Sequence, residues 1–278
     1  WHRNLGLEAM DGPINFGEKN MWWGLLAEGF YEPIYGMNYN PAYYKDLFES
    51  YGFQLYYKQF SYYLLVNDPR PANYSSKAQA LINNPDYSFE YLKKNQLKKF
   101  AEDFRTVYNE AWAGGHQGFK KMTEAEAYVV MLKMKPILVE DVAWFAYFKG
   151  DPIAAFIMLP DVNQYLKQVN GKLDFPAKLK LLWMKWTKQV KKLHAIIFGI
   201  VPGHQGKGVE AAIITAARNH VVPQNRWKDV ELAWVGDFNP KMHRIAENLG
   251  ADLYKVHHTY RYLFDRTKPF QRHPVVNQ

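Results

Sequence analysis

The chain has 278 residues, 48% of them hydrophobic and 17% aromatic, which suits one large or two medium cores and excludes a disordered chain. It holds no cysteine, so disulfides, thiolate metal sites and a cysteine nucleophile are excluded. A formal charge of +8 favours acidic partners; the lack of an export pattern and of an apolar run of about 18 residues predicts a cytoplasmic chain without a membrane span.

From Trp1 to Phe16 the sequence reads as the end of a helix and a strand taken from the middle of a fold. A longer unit begins at Asn40, NPAYYKDLFESYGFQLYYKQFSYYLL, and returns at Asn239, NPKMHRIAENLGADLYKVHHTYRYLF. Each copy opens on Asn-Pro, which suits a helix cap followed by proline at the first helical position. Each then carries Glu-x-x-Gly-x-x-Leu-Tyr, with Glu49, Gly52, Leu55 and Tyr56 matching Glu247, Gly250, Leu253 and Tyr254. The glycine suits a left-handed helix end and the aromatic run after it a strand. Copies about 200 residues apart imply a repeated domain and not a solenoid turn. The expected organisation is residues 1–66 as the C-terminal half of a first unit, 67–84 as a linker, and 85–278 as a complete second unit. An incomplete first unit would leave apolar edges exposed.

After the polar stretch NDPRPANYSSK, Tyr87 to Tyr91 reads as a strand. Gln96 to Trp112 reads as a helix with Leu97, Phe100, Phe104, Val107 and Tyr108 on one face, and Glu124 to Lys135 as another. The segment VEDVAWFAYFKGDPIAAFIMLP is a hairpin turning at Lys149-Gly150-Asp151. In KLKLLWMKWTKQVKKLH, Leu179, Leu182, Trp183, Trp186, Val190 and Leu193 share one helical face, and lysines mostly occupy the rest. A half-buried helix with a solvated lysine face is expected; docking of an acidic partner through Lys185, Lys188 and Lys192 is the other reading. A strand HAIIFGIV, a glycine loop, a helix from Gly208 to His220, a strand DVELAWV and the Asn239 copy complete a mixed-sheet α/β order.

The loop IVPGHQGKGVE suits an anion, because glycines let backbone N–H groups converge at a partly positive helix start. Gly-His-Gln-Gly also occurs at Gly115 to Gly118, after a helix and with no strand to aim it, so that copy reads as a plain loop. His257 and His258 are adjacent on a strand and face opposite sides, so they do not share a metal, and no metal site is expected. His204 reads as a loop residue.

The apolar strand ending in Val201, then Pro202, Gln205 and Gly208 opening a helix, followed by a strand and an Asn239-led helix ending at Gly250-Ala251, resembles the signature of the GNAT superfamily, the GCN5-related acyltransferases. Asn40, Gly52 and Phe53 match it in the first copy, so the chain resembles a piece of a tandem GNAT-like protein. The resemblance implies an N-acyltransferase using acetyl-CoA or acyl-CoA as co-substrate, with no tightly bound cofactor. Ile200, Val201, Gln205, Gly206, Lys207, Gly208, Val209 and Asn239 would form the CoA site. An amine would attack the thioester directly, with Glu231 or Asp237 as base and Tyr260 or Tyr254 as acid. Trp22-Trp23, Trp112 and Trp234 are candidates to line an acyl pocket, and Asp161 and Asn163 to touch the substrate, a small or amino-acid-like amine. An acyl carrier protein on the lysine-rich segment 178–194 is a possible partner, and nucleic acid is not expected. Two positions depart from the family pattern: Ala246 and Phe48 stand where a tyrosine often protonates the leaving thiolate, and Glu210 where Gly or Ala is preferred. A non-catalytic tandem module binding acyl-CoA or a carrier, together with a partner, is the alternative function.

Overall fold

The computed structural model describes residues 5–15, 23–69, 71–113 and 120–275, with backbone alone at 72–75. Trp1, Trp22 and the second Gly-His-Gln-Gly copy lie outside the described residues. In chain order the strands are β1 (Ala9–Gly12), β2 (Leu25–Glu28), β3 (Gln54–Leu65), β4 (Tyr87–Tyr91), β5 (Ala143–Phe148), β6 (Asp151–Pro160), β7 (Lys192–Ile200), β8 (Asp229–Gly236) and β9 (Asp252–Leu263). The α-helices are α1 (Tyr44–Tyr51), α2 (Ala72–Ile82), α3 (Leu97–Tyr108), α4 (Glu124–Met134), α5 (Val162–Lys167), α6 (Phe175–Trp186), α7 (Val209–Val221) and α8 (Pro240–Asn248). The class is mixed α/β. The described chain divides into two compact units.

One unit gathers Leu64–Glu231 with Asn248–Gly250. Strands β4 to β7 pair in sequence order, each antiparallel to the next. The β5–β6 hairpin turns where the sequence places it, because Lys149 and Gly150 both take the left-handed conformation that a two-residue turn needs (φ 52 and 92°). Thr123 and Glu126 start α4 with a reciprocal capping box. The core forms where Phe100, Phe104 and Val107 of α3 and Met131 of α4 meet Phe145 and Ile157 of the sheet. Burying each such side chain contributes roughly 1.5–3 kcal/mol. Part of the stretch 67–84, read as a linker, folds as α2 and packs on α7.

The other unit gathers Trp1–Tyr63, Leu232–Glu247 and Ala251–Gln278. It brings the two copies of the repeat together: β3 and β9 pair antiparallel, Gln54 opposite Arg261 and Tyr63 opposite Asp252. These pairs exchange under the repeat's own offset, so the two copies meet in a two-fold-like way. Both helices end as their glycines require, Gly52 at φ 103° and Gly250 at φ 72°, each followed by an amide returning to the last turn. The helix starts differ. Asn239 accepts from Met242 N at 3.3 Å, as a cap should, whereas the Asn40 amide pairs with the Leu26 backbone and α1 begins only at Tyr44. No residue of α1 is buried, and Tyr44, Leu47 and Tyr51 are exposed.

Candidate functional site

Strand β7 leads into a short 3-10 turn at Pro202–His204 and then into α7. Val201 N still donates to Ile153 O at 2.9 Å, which holds the strand end against β6. The Gln205 side chain reaches back, its Nε2 donating to Ile200 O at 3.1 Å, and so closes the turn. Gly206 and Gly208 are left-handed, at φ 70 and 86°. A Cβ at Gly203 or Gly206 would meet nothing within 4 Å, and at Gly208 only Leu81 Cδ1 at 3.8 Å. Gly208 opens α7 and no side chain caps the helix start, so its first amides face an open approach. Lys207 is exposed and Val209 is buried beneath the helix. These features fit a pyrophosphate: a helix N-terminus, a cation and no obstructing side chain at the glycines. Ile200, Val201, Gln205, Gly206, Lys207, Gly208 and Val209 are thus contiguous in one unit, while Asn239 starts α8 in the other.

The remaining candidates spread over both units. Glu231 is fully buried, and Lys192 Nζ approaches its carboxylate at 2.8 Å. Trp112 lies over β7; a Cβ at Gly199 would sit 2.1 Å from its ring. Asp161 accepts from Asn163 N at 3.1 Å, so this pair forms the cap of α5. In the other unit, Asp237 pairs with Arg272, and Trp234 packs beside Trp23, Ile34 and Met37. Tyr260 is buried and donates to Glu49 at 3.1 Å; burial, then the Glu49 charge, holds its hydroxyl above the usual range. Tyr254 stacks on Tyr31 with ring centroids 4.3 Å apart. His257 and His258 both pack inside, and burial depresses His258 to about 4. Among the described residues, no group of three metal-ligating side chains occurs. His204 packs against Phe148, with burial and then Lys207 lowering its pKa.

Two groups escape a reading by sequence. Tyr62 OH lies 2.6 Å from His243 Nδ1, and His243 Nε2 lies 3.0 Å from Gly236 O at the end of β8. Tyr62 also packs against Ala246, the position where the family often carries its tyrosine. Burial, then Glu247, raises the Tyr62 pKa. The lysine-rich segment also departs from expectation. Helix α6 ends at Trp186, and Val190 and Leu193 are buried beyond it. Leu179, Leu182, Trp183 and Trp186 are exposed, and Ala177 and Met184 are the buried face. Periodicity marks a stripe without saying which side packs. Lys192, one of the three docking lysines, is buried against Glu231.

No known family model matches the chain. The chain is 27% identical over 270 residues to a bacterial ceramide synthase of Caulobacter vibrioides, covering 94% of this chain and 68% of that protein. It is 24% identical over 268 residues to protein YghO of Escherichia coli, covering 94% and 67%. Its structure is similar to a GCN5-related N-acetyltransferase from Sphaerobacter thermophilus, with a TM-score of 0.50 at 11% identity. That match covers 80% of this chain and 56% of the other, so the chain spans little more than half of that structure. The fold is GNAT-like, as the loop and the repeat imply. Among the described residues no helix is long and apolar enough to cross a membrane.

Proposed function

We propose that this GNAT-fold chain is an N-acyltransferase that moves an acyl group from a CoA or carrier thioester to the amino group of a lipid amine. The observation that carries the reading is the open glycine turn between β7 and an uncapped α7. The loop amides and Lys207 would hold the pyrophosphate, and the end of β7, with Trp112 over Gly199, would orient the thioester arm. The similarity to a bacterial ceramide synthase supports the lipid acceptor, since a ceramide is a long-chain amino alcohol acylated on nitrogen. The amine nitrogen bonds to the thioester carbonyl carbon, the C–S bond breaks, the amine proton passes to a base and the thiolate takes a proton from an acid.

For the acid we favour Tyr62. Its side chain shares a buried cluster with Ala246, where the GNAT pattern often places a tyrosine, and burial raises its pKa. His243, at 2.6 Å, can return the proton. The hydroxyl of Tyr260 is instead engaged by Glu49. Asp237 and Glu231 remain the proposed bases, each beside a cation, Arg272 and Lys192. Tyr62→Phe is expected to lower kcat by about a hundredfold with the KM for acyl-CoA within about twofold. An unchanged kcat in steady-state assays returns Tyr62 to a packing role.

Glu210 sits in the first turn of α7, where its carboxylate favours the helix dipole by roughly 0.3–1 kcal/mol. Against a pyrophosphate at about 6 Å the same charge is repelled by roughly 0.7 kcal/mol in a water-like medium, or about 3 kcal/mol at an effective dielectric near 20. At the lower dielectric the repulsion exceeds the helix benefit, unless the side chain points away or pairs with Lys207 or Arg218. Arg218 also holds the carbonyls of Val66 and Asp68. Glu210→Ala should tighten CoA binding several-fold, and more at low salt. Weaker binding by calorimetry would instead make the glutamate a group that organises the ligand.

A further inference from the structure

We propose that α6 is an interfacial helix that seats the protein on an anionic lipid surface. The helix is sharply started: Asp174 caps it, accepting from Ala177 N at 3.0 Å, and proline follows in the first turn. Phe175, Leu179, Leu182 and Trp186 recur at three- and four-residue spacing, with Trp183 at the margin of their stripe. All five are exposed, from 52% at Leu179 to 81% at Trp186. The opposite stripe, Ala177 and Met184, is the buried one. An amphipathic helix has thus been packed by the narrow face of Ala177 and Met184, with its wide apolar face outward.

The exposure is concentrated. In the Leu64–Glu231 unit, every large apolar side chain found exposed among the described residues lies on α4, as Tyr128, Val129 and Leu132, or between Leu173 and Trp186. The two regions adjoin, because Lys185 Nζ donates to Pro136 O just past α4. A patch of this kind marks an interaction surface.

Charge selects the occupant. From Lys172 through Lys191, both included, stand six lysines and a single acid, the capping Asp174. Lys94, whose pKa is lowered by burial and by Lys185 against the opposing charge of Glu140, stands with Lys135 at the same end. Large apolar side chains with two tryptophans, flanked by lysines, match the boundary between acyl chains and anionic headgroups. A small acidic protein would use the lysines and leave the broad apolar ridge in water, and Lys180 already reaches back to Gln168 O. The helix would lie in the interface and not span it. This inference stands without the acyl-transfer reading.

The test is co-sedimentation of the purified chain with vesicles of phosphatidylcholine alone, or with about one-third phosphatidylglycerol. Strong binding to the mixed vesicles, weakened by salt, is expected. Leu182→Gln with Trp186→Gln should lower it by at least about tenfold. Lys178→Glu with Lys188→Glu should weaken binding to mixed vesicles at least about tenfold, while leaving the small binding to neutral vesicles unchanged. These side chains are exposed, and an unchanged circular dichroism spectrum will confirm that both variants fold. No vesicle binding, or binding equal in wild type and the apolar variant, overturns the proposal. So does a dimer that dissociates in the apolar variant, or capture of an acidic acyl carrier by a chain that ignores vesicles.

Discussion

Gly208→Val is expected to lower the affinity for CoA by at least about a hundredfold, with Gly203→Val leaving it unchanged. Gly208 is the residue at which the chain turns into α7, and its φ of 86° is one that a β-branched side chain adopts only at a cost of roughly 1–2 kcal/mol. Its Cβ direction is nearly empty, with Leu81 at ordinary contact distance, so the fold tolerates the new atoms. The space they take is the approach to the first amides of the helix. Gly203 offers the control. It lacks a left-handed φ, and nothing lies within 4 Å of the place its Cβ would take, so a valine there adds bulk to the same turn without backbone strain, five residues before the helix opens. Calorimetry on the two variants separates the cases: equal affinities make the loop a structural turn.

Lys192→Met should cost about 3–5 kcal/mol of stability, because it removes the cation held 2.8 Å from a carboxylate that is fully buried. Solvent screening does not soften this, since Glu231 has no exposed surface and the Lys192 side chain only 11%. For a chain of this size the melting temperature would fall by roughly 10 °C. Pairing the change with Glu231→Leu should recover most of the loss, since it removes the charge that the lysine balanced. Thermal unfolding followed by circular dichroism reads both. A fall of less than about 1 kcal/mol in the single variant would mean that the other neighbours of Glu231 carry the charge.

How far the sequence reaches depends on whether a feature is local. The Lys149-Gly150 turn, the Gly52 and Gly250 helix ends and the Gly206–Gly208 loop are each set by residues that admit few backbone choices, and the structure forms them where they are read. Face assignment is another matter. The stripe of α6 is visible in its spacing, but the side that packs depends on the neighbour that receives Ala177 and Met184. Asn40 carries the same Asn-Pro signal as Asn239 and spends its amide on β2, a partner that the local sequence does not announce. The Tyr62–His243 contact joins residues 181 apart, and the Lys192–Glu231 pair links residues of β7 and β8; neither has a spacing rule. One signal was available: Glu49, which engages Tyr260, occupies a position repeated as Glu247 in the second copy.

The most direct test of the central claim is to mix the purified chain with a long-chain acyl-CoA and a long-chain primary amine, and to follow free thiol and product together by mass spectrometry. The account predicts an N-acyl amide formed in step with released CoA, one for one, and no product with Gly208→Val. Tight acyl-CoA binding with neither thiol nor amide would contradict it, and would leave a module that holds the thioester without transferring its acyl group.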